Sequence, residues 1–105
     1  MKTLDISFDA VLENRQGQQL LFLQDDEVKN SQGQTLARFE GSFMLNAIDQ
    51  RIASVEGNKI INLQNQVIGS VEGDQLLNFQ GQAILNVSGL RQEDKVKVAA
   101  YFFCM

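Results

Sequence analysis

The chain repeats itself every sixteen residues from Ala10 to Gly89, and a period that short has room for little besides one β-hairpin and its two turns. Written in rows of sixteen, residues 10–25, 26–41, 42–57, 58–73 and 74–89 fall into register. The fifth column is Asn in every row (Asn14, Asn30, Asn46, Asn62, Asn78) and the ninth is Gln in every row (Gln18, Gln34, Gln50, Gln66, Gln82). The eighth column reads Gly17, Gly33, Asp49, Asn65, Gly81, and the last reads Asp25, Gly41, Gly57, Gly73, Gly89. These residue types tolerate positive φ, so each row carries two chain reversals.

Asn followed three residues later by Gly marks a type I turn whose left-handed Gly makes a bulge. The Asn side chain pre-forms such a corner by accepting from the backbone two residues on. Two turns in sixteen residues leave strands of about five or six residues. A three-residue loop closed by Asn and Gln places the third column opposite the eleventh: Leu12/Leu20, Val28/Leu36, Met44/Ile52, Ile60/Ile68 and Leu76/Ile84, all apolar. The fourteenth column (Leu23, Phe39, Val55, Val71, Val87) is apolar too, but an odd number of residues from the eleventh. Either a bulge lies between them, near Ala37, Ala53 and Gly69, or the sheet is apolar on both sides.

The second face changes character along the chain. Columns four and six are polar in the first two rows (Glu13, Arg15, Lys29, Ser31) and apolar in the last three (Leu45, Ala47, Ile61, Leu63, Leu77, Phe79). Residues 90–105 supply a candidate cover. Glu93 and Asp94 stand near the start, and Val96, Ala99, Ala100 and Phe103 recur at helical spacing, which predicts a helix lying over rows three to five. The alternation Lys95-Val96-Lys97-Val98 also fits the start of a last strand. At the other end Leu4, Ile6 and Phe8 alternate with polar residues and predict a strand over 1–9. The expectation is a single all-β domain over 1–105: an antiparallel meander of eleven or more strands built on five hairpin repeats. Open sheets rarely exceed about ten strands, so it should be closed or strongly bent, barrel-like or prism-like, with an N-terminal strand and a C-terminal helix.

Chemistry is sparse. Histidine, tryptophan and proline are absent, which removes the commonest general base and metal ligand. Cys104 has no histidine to activate it, no phosphate-binding Gly loop precedes a helix, and neither an enzyme nor a cofactor is expected. Glu40, Glu56 and Glu72 recur beside glycines, but equivalent carboxylates two strands apart are about 10 Å from one another. Calcium needs its oxygens at about 2.3 to 2.6 Å, so a solvated acidic rim is the better reading. The Asn and Gln columns belong to turns rather than to a sugar- or ion-binding surface, with Gln bonding to Asn across the closing pair or between neighbouring hairpins.

The net charge of −4 includes no basic block, so nucleic acid is an unexpected partner, and no run approaches the roughly 20 apolar residues of a membrane span. A single cysteine and an N-terminus with acids where a signal peptide needs apolar residues predict a cytoplasmic protein.

The row Asn58-Lys59-Ile60-Ile61-Asn62-Leu63-Gln64-Asn65-Gln66-Val67-Ile68-Gly69-Ser70-Val71-Glu72-Gly73 resembles short tandem hairpin repeats of uncharacterised bacterial proteins. It is also loosely similar to the tyrosine-aspartate repeats of bacterial shell-forming toxins, though the Tyr-Asp pair is missing and the unit is shorter. The resemblance covers residues 10–89 and implies a bacterial origin and a hairpin array, with no assigned activity.

Repetition without a unique site favours a non-enzymatic interaction or assembly module. It would present an edge, an acidic rim or an apolar tail to a protein partner or to itself. The candidate surface is Leu45, Ile61, Leu63, Leu77, Phe79, Tyr101, Phe102 and Phe103; for the three aromatics, burial against their own sheet is the competing reading. The alternatives are a small-ligand-binding barrel and an acidic inhibitor, of the immunity type, for a basic partner.

Overall fold

A computed structural model describes residues 8–104, and the Asn-Gln unit builds one end of it. In the fourth row, Asn62 N–H donates to Gln66 O (2.9 Å) and Asn65 N–H to Asn62 O (3.0 Å). Asn62 Oδ1 accepts from the backbone N–H of Gln64 (3.0 Å) and of Gln66 (2.9 Å), while its Nδ2 donates to Gln66 Oε1 (3.1 Å). The same five-bond knot closes the other four rows. One asparagine thus satisfies two loop amides that no strand can reach, and the Gln column holds that asparagine in place. The eighth column has positive φ throughout, including Asp49 (65°) and Asn65 (67°).

The opposite end carries two-residue loops. Gly41, Gly57 and Gly73 have φ of 61°, 60° and 59° at the first central position, as a type II′ hairpin turn requires. Where the first row meets the second, Asp25 and Asp26 both have positive φ (53° and 65°), the pattern of a type I′ turn.

Between these ends run ten strands among the described residues. They are β1 (Ala10–Glu13), β2 (Gln19–Gln24), β3 (Glu27–Lys29), β4 (Thr35–Glu40), β5 (Phe43–Leu45), β6 (Arg51–Glu56), β7 (Lys59–Ile61), β8 (Val67–Glu72), β9 (Gln75–Asn78) and β10 (Ala83–Gly89). Each pairs antiparallel with the next, and β1 pairs with β10 from Ala10↔Gly89 to Glu13↔Asn86, which closes the barrel. Of the two shapes left open by strand number, the closed one is found. Closure removes both sheet edges. Most of the predicted strand over 1–9 lies outside the described residues; Phe8 and Asp9 are irregular chain leading into β1.

The register differs from the expected one by a residue. Column three faces column twelve: Leu12↔Leu21, Val28↔Ala37, Met44↔Ala53 and Ile60↔Gly69. Each long strand inserts its eleventh-column residue (Leu20, Leu36, Ile52, Ile68, Ile84) as an extra position just after the Asn turn. The bulge inverts the alternation beyond it, so columns three, twelve and fourteen share the inner face. Of the two readings of the fourteenth column the bulge is the one found, one position nearer the turn than the small residues suggested.

The tail corrects a second expectation. Helix α1 (Gln92–Ala100), continued by a 3-10 turn at Tyr101–Cys104, does not lie over the outer face of rows three to five. It plugs the barrel. Val96, Val98, Ala99 and Ala100 are all fully buried although they point in divergent directions around the helix, and α1 packs against β1, β2 and β10 as well as β6, β7 and β8. Ten strands make a lumen wider than one that side chains alone fill. The wall is thinned where the tail passes: column twelve is Leu in the first and last rows but Ala37, Ala53 and Gly69 between. A Cβ on Gly69 would lie 2.5 Å from the Phe103 ring. The helix enters at the Gly-turn end, where Lys95 Nζ meets Asp74 Oδ1 (2.7 Å) and Lys97 Nζ meets Asp26 Oδ1 (2.9 Å). Buried Asp94 accepts two hydrogen bonds from the Arg91 guanidinium (3.1 and 3.2 Å), which holds that guanidinium's pKa above its ordinary value.

Candidate functional site

Because the barrel is sheared, side chains on its outer face line up in five diagonal bands, each crossing at least four strands. The bands have different chemistry. One is wholly polar (Gln75, Asn86, Glu13, Gln19), and one carries charge around a single leucine (Glu27, Arg38, Leu45, Arg51). The band across β5–β8 is the apolar one: Phe43, Ser54, Ile61, Val67. Small Ser54 between the larger Phe43 and Ile61 leaves a trough.

That trough is an open cavity of about 690 Å³. It runs from Phe43, Ser54 and Ile61 to the Gly-turn end, where Glu56 and, from α1, Glu93 and Lys97 line it. Toward the Asn turns it continues into a smaller depression of about 170 Å³ lined by Arg51, Leu63 and Asn65. The Arg51 guanidinium lies 3.8 Å from the centroid of the Phe43 ring, a cation–π contact that fixes one wall. Lys97 is neutralised by Asp26; the exposed carboxylates Glu56 and Glu93, with buried Asp94 behind them, outnumber Arg91, which pairs with Glu93 (3.4 Å), and Lys59, which stands opposite Glu56, so the Gly-turn end is mildly acidic and the Arg51 end basic. Beside the groove, Arg38 spans Glu40 (2.8 Å) and Asp49 (2.6 Å), and its hydrogen bonds to both carboxylates hold its pKa above the ordinary value.

The residues singled out from sequence divide into three groups. Leu63 and Phe79 stand exposed on consecutive Asn turns, at 63% and 73%. Leu45 and Ile61 are buried and Leu77 is partly so; Ile61 forms part of the trough. Tyr101, Phe102 and Phe103 pack against the core inside the barrel and form no exposed apolar tail. Phe43, Ile48, Val67 and Arg51 were missed. Ile48 carried a usable signal, because it is the one apolar member of a turn-tip column that reads Gln16, Gln32, Gln64 and Gln80 in the other rows. Phe43 was harder to find, since its column mixes Val11, Glu27, Lys59 and Gln75.

Glu40, Glu56 and Glu72 are exposed on successive Gly turns, and no group of His, Cys, Asp and Glu among the described residues is arranged to hold a metal ion. Burial pushes the half-buried Cys104 thiol above its ordinary pKa. No helix among the described residues is long and apolar enough to cross a membrane.

Five equivalent hairpins closed into one ring, with the chain's own C-terminal helix as the filling, define a fivefold hairpin-repeat barrel. The chain belongs to the 5-fold beta-flower protein family, whose model matches residues 2–105. No curated protein and no solved structure matches it.

Proposed function

We propose that this protein is a non-enzymatic protein-binding module of the bacterial cytoplasm, working without cofactor, nucleic acid or membrane. The supporting observation is the placement of its exposed large apolar side chains. Five of the six, Phe43, Ile48, Leu63, Val67 and Phe79, belong to rows three to five; the sixth, Leu90, follows the last row and donates its backbone N–H to Asp9 O, and rows one and two contribute none among the described residues. A fold that repeats its inner face so faithfully has no structural need for such a one-sided outer surface, and clustered exposed apolar residues are characteristic of interaction sites. Closure of the sheet leaves no edge for strand addition, so recognition would run through side chains. The lumen holds the tail, which favours the outer wall over an enclosed ligand cavity or a free C-terminal anchor as the binding surface.

The test is quantitative affinity capture from the native cell with two baits, the natural protein and the Ile48→Ser/Leu63→Ser/Phe79→Ser variant. All three positions are exposed, so the variant should melt within a few degrees of the natural protein, roughly the effect of surface substitutions. A protein retained by the first bait and lost by the second supports the module. Equal recovery by both baits, or none by either, overturns it.

A further inference from the structure

We infer that the groove along β6 is a docking site for an extended segment of a basic partner protein. The segment seats a large apolar side chain over Phe43 and Ile61 and sets a lysine or arginine against Glu56 and Glu93. This rests on the protein-binding reading and names the partner's chemistry. The two depressions share Phe43, Ser54 and Asn65, so they form one trough rather than two pits. Its ends are marked by Arg51 and Glu56, the first and last residues of β6, about 17 Å apart at 3.3 Å per strand residue. An extended peptide covers that distance with about five residues. Among the described residues the Ser54 hydroxyl and the Asn65 side-chain amide make no hydrogen bond within the protein, which leaves both available to a peptide backbone lying over them.

Charge decides the occupant. Lys97 is committed to Asp26, Arg91 is shared between Glu93 (3.4 Å) and Asp94 (3.1 Å), and Lys59 stands opposite Glu56 on the next strand; the three carboxylates Glu56, Glu93 and Asp94 still outnumber the two cations Arg91 and Lys59, so the groove mouth keeps a net negative charge. The whole chain carries −4, which steers basic partners toward it and opposes pairing with a second copy. Arg51 at the far end disfavours a second basic residue there. The segment therefore has its basic residue on one side of the apolar anchor and a neutral or acidic residue on the other.

The test uses the full chain as bait for a phage-displayed library of random heptapeptides, followed by titration of synthesised winners. Winners should share a large apolar residue within two or three positions of a lysine or arginine. Phe43→Ser and Glu56→Lys should each weaken them about tenfold or more, as should exchanging the peptide's basic residue for glutamate. Added salt should weaken them further. Both protein positions are exposed, and unchanged melting curves confirm intact folding. Absence of enrichment, winners without a basic residue, or binding indifferent to both groove substitutions overturns the inference. So does a concentration-dependent dimer abolished by Phe43→Ser, which would assign the groove to a second copy. Winners lost on Ile48→Ser/Phe79→Ser but indifferent to the groove variants would overturn the groove and leave the protein-binding reading standing; winners indifferent to every surface variant would remove both.

Discussion

A single asparagine does the work of a whole turn in each repeat. Asn62 Oδ1 accepts two backbone amides that face away from every strand, and its own amide is held by Gln66. In Asn62→Ala those amides keep water as a partner but lose their fixed acceptor, so the expected cost is about 1–2 kcal/mol by urea unfolding with an unchanged m-value. Gln66→Ala removes one exposed side-chain bond and should cost about 0.5 kcal/mol. Gly69 is the second residue with a singular duty. A methyl there would sit 2.5 Å from Phe103 and 2.9 Å from the backbone oxygen of Leu77, and the oxygen cannot step aside as a ring can. Gly69→Ala should therefore destabilise by about 1–3 kcal/mol. Phe103→Leu should recover part of that loss in the double variant, a coupling that a cycle of the four proteins measures.

At the level of elements, the hairpins and their turns were legible in the chain because the chemistry of Asn14, Gly17 and Gln18 is local and needs no knowledge of the rest. The strand register was not. One inserted residue, Leu20 in the first row, inverts every side chain beyond it, and a leucine in a bulge is the same letter as a leucine in a ladder. The helix was legible as a helix, but its place depended on the width of a closed lumen and on the thinning at Ala37, Ala53 and Gly69, which no window around residues 90–105 contains. The groove was half legible, through Ile61 and Leu63, and its partner Phe43 came from a column with no pattern. Since α1 is enclosed by the barrel wall, the amides of Val96 and Val98 should exchange with solvent at the rate of global unfolding. Lys95→Met/Lys97→Met removes the two ties at the mouth, each roughly 0–1 kcal/mol with its exposed aspartate, so exchange at those amides should quicken in step with the modest loss of stability. The tail also carries a pH dependence. Burial raises the Cys104 thiol when the protein is folded, so its contribution is full below the ordinary thiol pKa and is lost as pH rises through the higher folded value. Stability should thus decline on the alkaline side with a slope that is shallower in Cys104→Ala.

For the whole molecule the important contact is the one between β1 and β10, the two strands farthest apart in the chain. Pairing them requires closing a loop of most of the repeat region, and the core that rewards closure includes the tail made after all the hairpins. Folding should accordingly be a single cooperative event: far-ultraviolet circular dichroism and the environment of Tyr101 should report the same transition, and separate midpoints would contradict a barrel stabilised around its plug. The plug also acts as a gauge. A repeat protein of the open, stacked kind can gain or lose a unit at its end with little consequence for the others. Here an extra copy of residues 58–73 would raise the strand count from ten to twelve and widen the lumen by about a fifth, while the helix stays the same thickness. Val96, Val98, Ala99 and Ala100 would then lose wall contacts on one side, and the enlarged protein should bind hydrophobic dye and melt lower than the original. The number of repeats in the barrel is matched to the girth of the helix that fills it, so duplication or loss of a sixteen-residue unit would survive only with a matching change in that helix.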